Sequence, residues 1–188
     1  MLNEKGLAAV MRDKWRGGGY VVAESEGMIM LNLGAVLVCC EKQRLPRKCL
    51  GLIAEHVGEI PQELCYKVSK AAGAQTMLLE DEIAIWEKLR SQLIDPGGSR
   101  ILPTQLQMNG NWVWQKLADL RVVLVDPGYT RVIEAEFLAD AWAWDVFSTG
   151  LIWDGGDCIA AVMPLTRNDT DRRLQQLDGF PWCGEAAE

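Results

Sequence analysis

The chain has 188 residues, 49% hydrophobic and 24% charged, enough for one well-filled core and unlike a disordered sequence. No apolar run approaches the roughly 20 residues that span a bilayer, and "MLNEKGLAAVMRDKW" lacks the apolar stretch of an export signal, so a cytoplasmic chain is expected. Its formal net charge of −7 excludes broad nucleic-acid binding, which needs a basic field, and favours cationic partners.

Taken in order, residues 3–16 predict a helix: Asn3 can cap it, and Leu7, Val10, Met11 and Trp15 recur at helical spacing. "RGGGY" ends it. Three short strands are expected at Tyr20–Glu24, Met28–Asn32 and Ala35–Cys40, with turns near Ser25–Gly27 and Gly34, which makes an antiparallel meander. A second helix follows Pro46, with Leu50, Ile53 and Val57 as its apolar stripe and Gly58 as its stop. Residues 64–70 suit another strand. "LEDEIAIWEKLRSQL" is the clearest helix, with acids first and Ile83, Trp86, Leu89 and Leu93 on one face.

"IDPGGSR" over 94–100 reads as a loop between an N-terminal part, 1–93, and a C-terminal acidic, Trp-rich part, 101–188, the two expected to form one compact unit. Asn109-Gly110 signals a hairpin, with a helix from Asn111 as the competing reading. "RVVLVDPGY" is a buried strand and turn, residues 134–147 fit neither period, "GLIWDGG" and "CIAAVMPL" form a further hairpin, and "NDTDRRLQQLDG" is a closing helix. The resulting class is α+β: an antiparallel sheet of meanders and hairpins with four to five helices packed on it. A gapped echo sets Leu45, Arg47 and Pro61 beside Leu165, Arg167 and Pro181, which suggests a weak internal duplication.

Catalytic motifs are sparse. The sequence has one histidine, His56, and no G-x-S-x-G, phosphate-loop or C-x-x-C pattern. Cys49 and His56 share a helix face, but two turns of separation put them about 10 Å apart, too far for direct proton transfer. Cysteines 39, 40, 49 and 65 have no recognisable zinc spacing, so buried reduced thiols and a surface or capped histidine are expected. No cofactor is expected. Asp126 follows an apolar strand, and Glu134 and Glu136 would share a face of the next, so the three could hold Mg²⁺ for a hydrolase. That arrangement resembles the acidic half of a metal-dependent nuclease, although Glu136 and Phe137 stand where the nuclease pattern ends in lysine.

The charge is concentrated. Between Asp119 and Asp157 lie eight of the 26 acids but only two of the 19 bases, so this stretch carries six of the seven excess negative charges. The same stretch contains "DAWAWDVFSTGLIWDGGD". Burial is the first expectation for Trp15, Trp86 and Trp114. Trp142 and Trp144 lie about 200° apart on a helix, where no single stripe absorbs both, so at least one is expected at the surface. The candidate partner-binding set is therefore Asp140, Trp142, Trp144, Asp145, Trp153, Asp154 and Asp157, docking on a basic protein surface through ion pairs and cation–π contacts. A basic patch of Lys42, Arg44, Arg47 and Lys48 crowds a helix N-terminus as a secondary site. In overall character, rather than in any matched motif, the chain resembles the inhibitors that phages and mobile elements direct at nucleic-acid-processing defence enzymes, anti-CRISPR proteins among them. The resemblance implies a non-catalytic binding role; a Mg²⁺-dependent hydrolase and a self-associating structural subunit are the alternatives.

Overall fold

The computed structural model describes residues 1–94, 99–144, 150–165 and 171–183. It is an α+β protein built on an antiparallel sheet of eight strands. Helix α1 (Glu4–Arg16) is capped by Asn3, whose side chain accepts from the Gly6 amide at 3.0 Å. The meander β1 (Tyr20–Ser25), β2 (Met28–Asn32) and β3 (Val36–Glu41) follows. Helix α2 (Arg47–Val57) then leads to β4 (Leu64–Ser69) and the edge strand β5 (Gly73–Met77), and α3 (Leu79–Ile94) crosses the sheet.

A second sheet of three strands, β6 (Ile101–Met108), β7 (Asn111–Lys116) and β8 (Val122–Val125), comes next. Asn109 and Gly110 both have positive φ between Met108 and its partner Asn111, so the hairpin reading holds there and the helix reading does not. A one-turn helix α4 (Pro127–Thr130) and a 3-10 helix over Ala135–Asp140 precede β9 (Trp142–Trp144), β10 (Gly150–Asp154) and β11 (Cys158–Val162). The described part of the stretch without a clear period, 134–144, is thus a tight helix passing into a three-residue strand, each too short to show one. A short helix α5 (Asp171–Gln175) covers the outer face of the small sheet through Leu174.

The large sheet runs β5-β4-β1-β2-β3-β11-β10-β9, so the two meanders meet at β3 and β11. One constant shift along the chain carries Val36, Val38 and Cys40 onto Cys158, Ala160 and Val162, and the same shift carries Ile29 and Asn32 onto Leu151 and Asp154 with their hairpin partners. The turns match too. Asn32 accepts from the Gly34 amide at 3.1 Å, and Asp154 accepts from the Gly156 amide at 2.8 Å. Gly34 and Gly156 have φ of 81° and 79°, a left-handed backbone that glycine adopts without steric cost. The hairpins of the sequence echo therefore share one register; Arg167 of that echo lies outside the described residues.

Alternation along the strands sends side chains to two different layers. On one face, Val22, Leu31, Val38, Trp153 and Ala160 pack against α1, α2 and the small sheet. On the other, Met30, Leu37, Cys39, Ile152 and Ala161 lie under α3, whose Trp86 and Leu89 are buried against them. Trp114 of the small sheet meets Trp153 edge-on, centroids 6.0 Å apart and planes at 89°, a geometry that contributes about 0.5–1.5 kcal/mol beyond area burial. The sheets are also joined in backbone: Arg100 bridges Trp142, and Ile101 donates to the Ala141 carbonyl.

Candidate functional site

The acidic segment does not form one face. Trp142 is 44% exposed on β9, opposite Ile152 and beside Arg100. Trp153, expected in the same surface, is instead 1% exposed, with its Nε1 donating to the Phe137 carbonyl at 3.0 Å. The reason is parity: β10 alternates between the two covered faces, and position 153 falls on the side that the small sheet closes. Trp144 pairs through its backbone with Gly150; its side chain, like all of Asp145, lies outside the described residues. Asp140 is exposed and pairs with Arg100 at 3.2 Å.

The carboxylates expected to hold Mg²⁺ serve local structure instead. Asp126 caps α4 by accepting from the Gly128 amide at 2.7 Å, and Glu134 pairs with the Met1 amine at 3.0 Å. Glu136 sits in the 3-10 helix, so Glu134 and Glu136 do not share a strand face as the spacing suggested. Among the described residues no three acidic, histidine or cysteine side chains gather closely enough to hold a metal ion.

His56 is also not a surface residue. It is 8% exposed, stacked on Trp15 at 4.5 Å with parallel planes, and its Nδ1 lies 2.9 Å from the Tyr20 hydroxyl. Desolvation holds its pKa below the usual histidine range. Trp15 itself is only partly buried, with the imidazole covering one of its faces.

What the fold does assemble is a groove beside α3. Two adjoining cavities of about 190 and 290 Å³ share Met28, Cys39 and Arg90. Met28, Met30, Cys39, Ile159, Ile83 and Trp86 give it an apolar lining. Its charged residues come from three places: Glu26 in the β1–β2 turn, Glu87 and Arg90 on α3, and Asp154 and Asp157 in the β10–β11 turn. All five are exposed. The basic patch meets this rim at one point, where Arg44 pairs with Asp157 at 3.1 Å. Arg47 and Lys48 are exposed nearby, and the α2 N-terminus receives Glu4 from α1 at the Lys48 amide. Lys42 is half-buried, and its amide donates to the Gly27 carbonyl.

Asp154 and Asp157 were visible in the sequence as part of the acidic run. Glu26, Glu87 and Arg90 were not, because three elements distant in sequence bring them together. The available signal was weak: Glu87 and Arg90 fall at i and i+3 on the polar side of α3.

No family model matches this chain, and no curated protein does. Among solved structures, one similar chain is the DNA polymerase III β chain of Streptococcus pneumoniae TIGR4, at 10% identity and a TM-score of 0.36. The match covers 91% of this chain and 66% of that one, so this chain spans just under two thirds of its length. No helix is long and apolar enough to cross a membrane among the described residues.

Proposed function

We propose that this protein is a non-catalytic binding protein that uses the acidic rim of the α3 groove to dock on a basic protein surface. One observation carries the reading: Glu26, Glu87, Asp154 and Asp157 arrive from separate elements at the rim of one apolar-lined groove. Acids outnumber bases around it even with Arg90 and Arg44 included, so its field attracts lysine- and arginine-rich segments. The apolar lining would take an aliphatic side chain from the same segment. Surfaces of that composition are common on nucleic-acid-processing enzymes, which makes such an enzyme the favoured partner class and inhibition the favoured outcome of docking.

The test is calorimetric titration with short Arg/Lys-rich peptides carrying one leucine or methionine, together with amide shift mapping. Binding in low salt should weaken at least about tenfold in a Glu87→Lys, Asp154→Lys double variant, and it should fall as salt rises. Shifts that cluster around Trp142 instead, or affinity unchanged by the double variant, would overturn the groove as the docking site. No observation favours the hydrolase reading, since Asp126 and Glu134 are each committed to a separate structural contact.

A further inference from the structure

Where the two meanders meet, two cysteines face each other. Cys40 on β3 is the direct cross-strand partner of Cys158 on β11, and both belong to the core on the small-sheet side. The hydrogen bonds around them fix the kind of pair. Glu41 donates to the Asp157 carbonyl at 3.1 Å, and Met163 donates to the Ala35 carbonyl at 2.8 Å. Bonded and non-bonded pairs alternate along an antiparallel ladder, so Cys40 and Cys158, one step inside Glu41 and Asp157, form a non-bonded pair. Such pairs bring Cα atoms to about 4.5 Å, at the short end of the roughly 4.4–6.8 Å that a disulfide spans.

The other cysteines are placed differently. Cys39 projects to the opposite face, under α3. Cys65 faces Ala23 and Met77 across its strands, Cys49 is on α2, and Cys183 lies near the Leu102 and Pro103 carbonyls. We propose that Cys40 and Cys158 form a reversible intrachain disulfide that staples the two halves of the large sheet, with a peroxide as the oxidant.

The chemistry suits that pair. A hydrogen bond from the Cys158 thiol lowers the Cys40 pKa, whereas burial pushes Cys39 up to about 11. The Cys40 thiolate attacks one peroxide oxygen; an S–O bond forms, the O–O bond breaks, and hydroxide leaves. The Cys158 sulfur then attacks the Cys40 sulfenic acid; the S–S bond forms, the S–O bond breaks, and the oxygen departs as water with the Cys158 proton. A dithiol reductant reverses this by attacking one sulfur.

The experiment treats the folded protein with dilute hydrogen peroxide and maps its peptides without reduction. A Cys39→Ala background separates Cys40 from its neighbour. Two of the five thiols left in that background should disappear, a Cys40–Cys158 linked peptide should appear, and Tm should rise by roughly 5 °C or more, because the bridge closes a long loop. Dithiothreitol should restore all of this, and a Cys40→Val, Cys158→Val variant should show no shift. If that variant packs poorly, Cys158→Ala serves in its place. Pairing with Cys65 or Cys183, over-oxidation without a link, or a link that forms only in urea would overturn the proposal.

Discussion

The β1–β3 and β9–β11 meanders share a ladder and a turn but are covered by different layers. Over the first lie α1 and α2, which bring a titratable group, His56, into the core between Trp15 and Tyr20. Over the second lies the small sheet, which meets it through Trp114 and Trp153. Leu31 opposite Val38 corresponds to Trp153 opposite Ala160, a larger residue matched with a smaller one across the same pair of positions. The turns differ in the side chains they carry: Leu33 and Ala35 of the first stand where Gly155 and Asp157 stand in the second. Asn32 donates to Glu82 of α3 at 3.3 Å, while its counterpart Asp154 is exposed on the groove. Backbone geometry is thus common to both halves, and the difference in role lies in the side chains laid upon it.

That contrast can be broken most forcefully at the core. Trp153→Ala should cost about 4 kcal/mol in urea unfolding and Leu31→Ala about 3, each by transfer and cavity terms. A loss under about 1 kcal/mol for Trp153→Ala would mean that the small sheet is not seated on β10. Acid should then distinguish the halves. In the unfolded chain His56 takes its proton near pH 6.5, but in the folded one its pKa is lower, so below about 6.5 the unfolded state gains a proton first. Stability should fall as pH drops through that window until the folded histidine also titrates. His56→Phe should flatten this part of a Tm-versus-pH curve, and an unchanged curve would refute the assignment.

Smaller effects address the turns. Gly34→Ala and Gly156→Ala should each cost about 1 kcal/mol, and nearly the same amount, since both place a Cβ on a left-handed backbone with room around it. Clearly unequal costs would show that the turns are not equivalent. Smallest of all, Asp154→Asn keeps the oxygen that accepts from Gly156 and should change stability by less than about 0.5 kcal/mol while weakening peptide binding.

Much of the architecture was legible because it follows from local rules. Asn3, Gly58 and Asn109-Gly110 mark ends and turns by backbone preference, and the three first strands stand out as short apolar runs bounded by turn residues. The second meander was harder. A three-residue β9 shows no period, and Trp153 cannot be assigned to a face until it is known which layer closes over β10. His56 looked like a surface residue because its partners, Trp15 and Tyr20, come from another helix and a strand. The groove was legible only in its Asp154 and Asp157 half, for the same reason: its remaining charges belong to the turn after β1 and to α3.

The seam between β3 and β11 also dictates the order in which the molecule can be completed. During synthesis the apolar strand "VLVCCE" emerges more than a hundred residues before the segment that will lie against it. Until then its outer edge presents unpaired amides and carbonyls, the form of surface that recruits strands from other chains. A nascent or truncated N-terminal half is therefore the form of this polypeptide most prone to aggregate, and closure of that edge by its last strand is the step that ends the exposure.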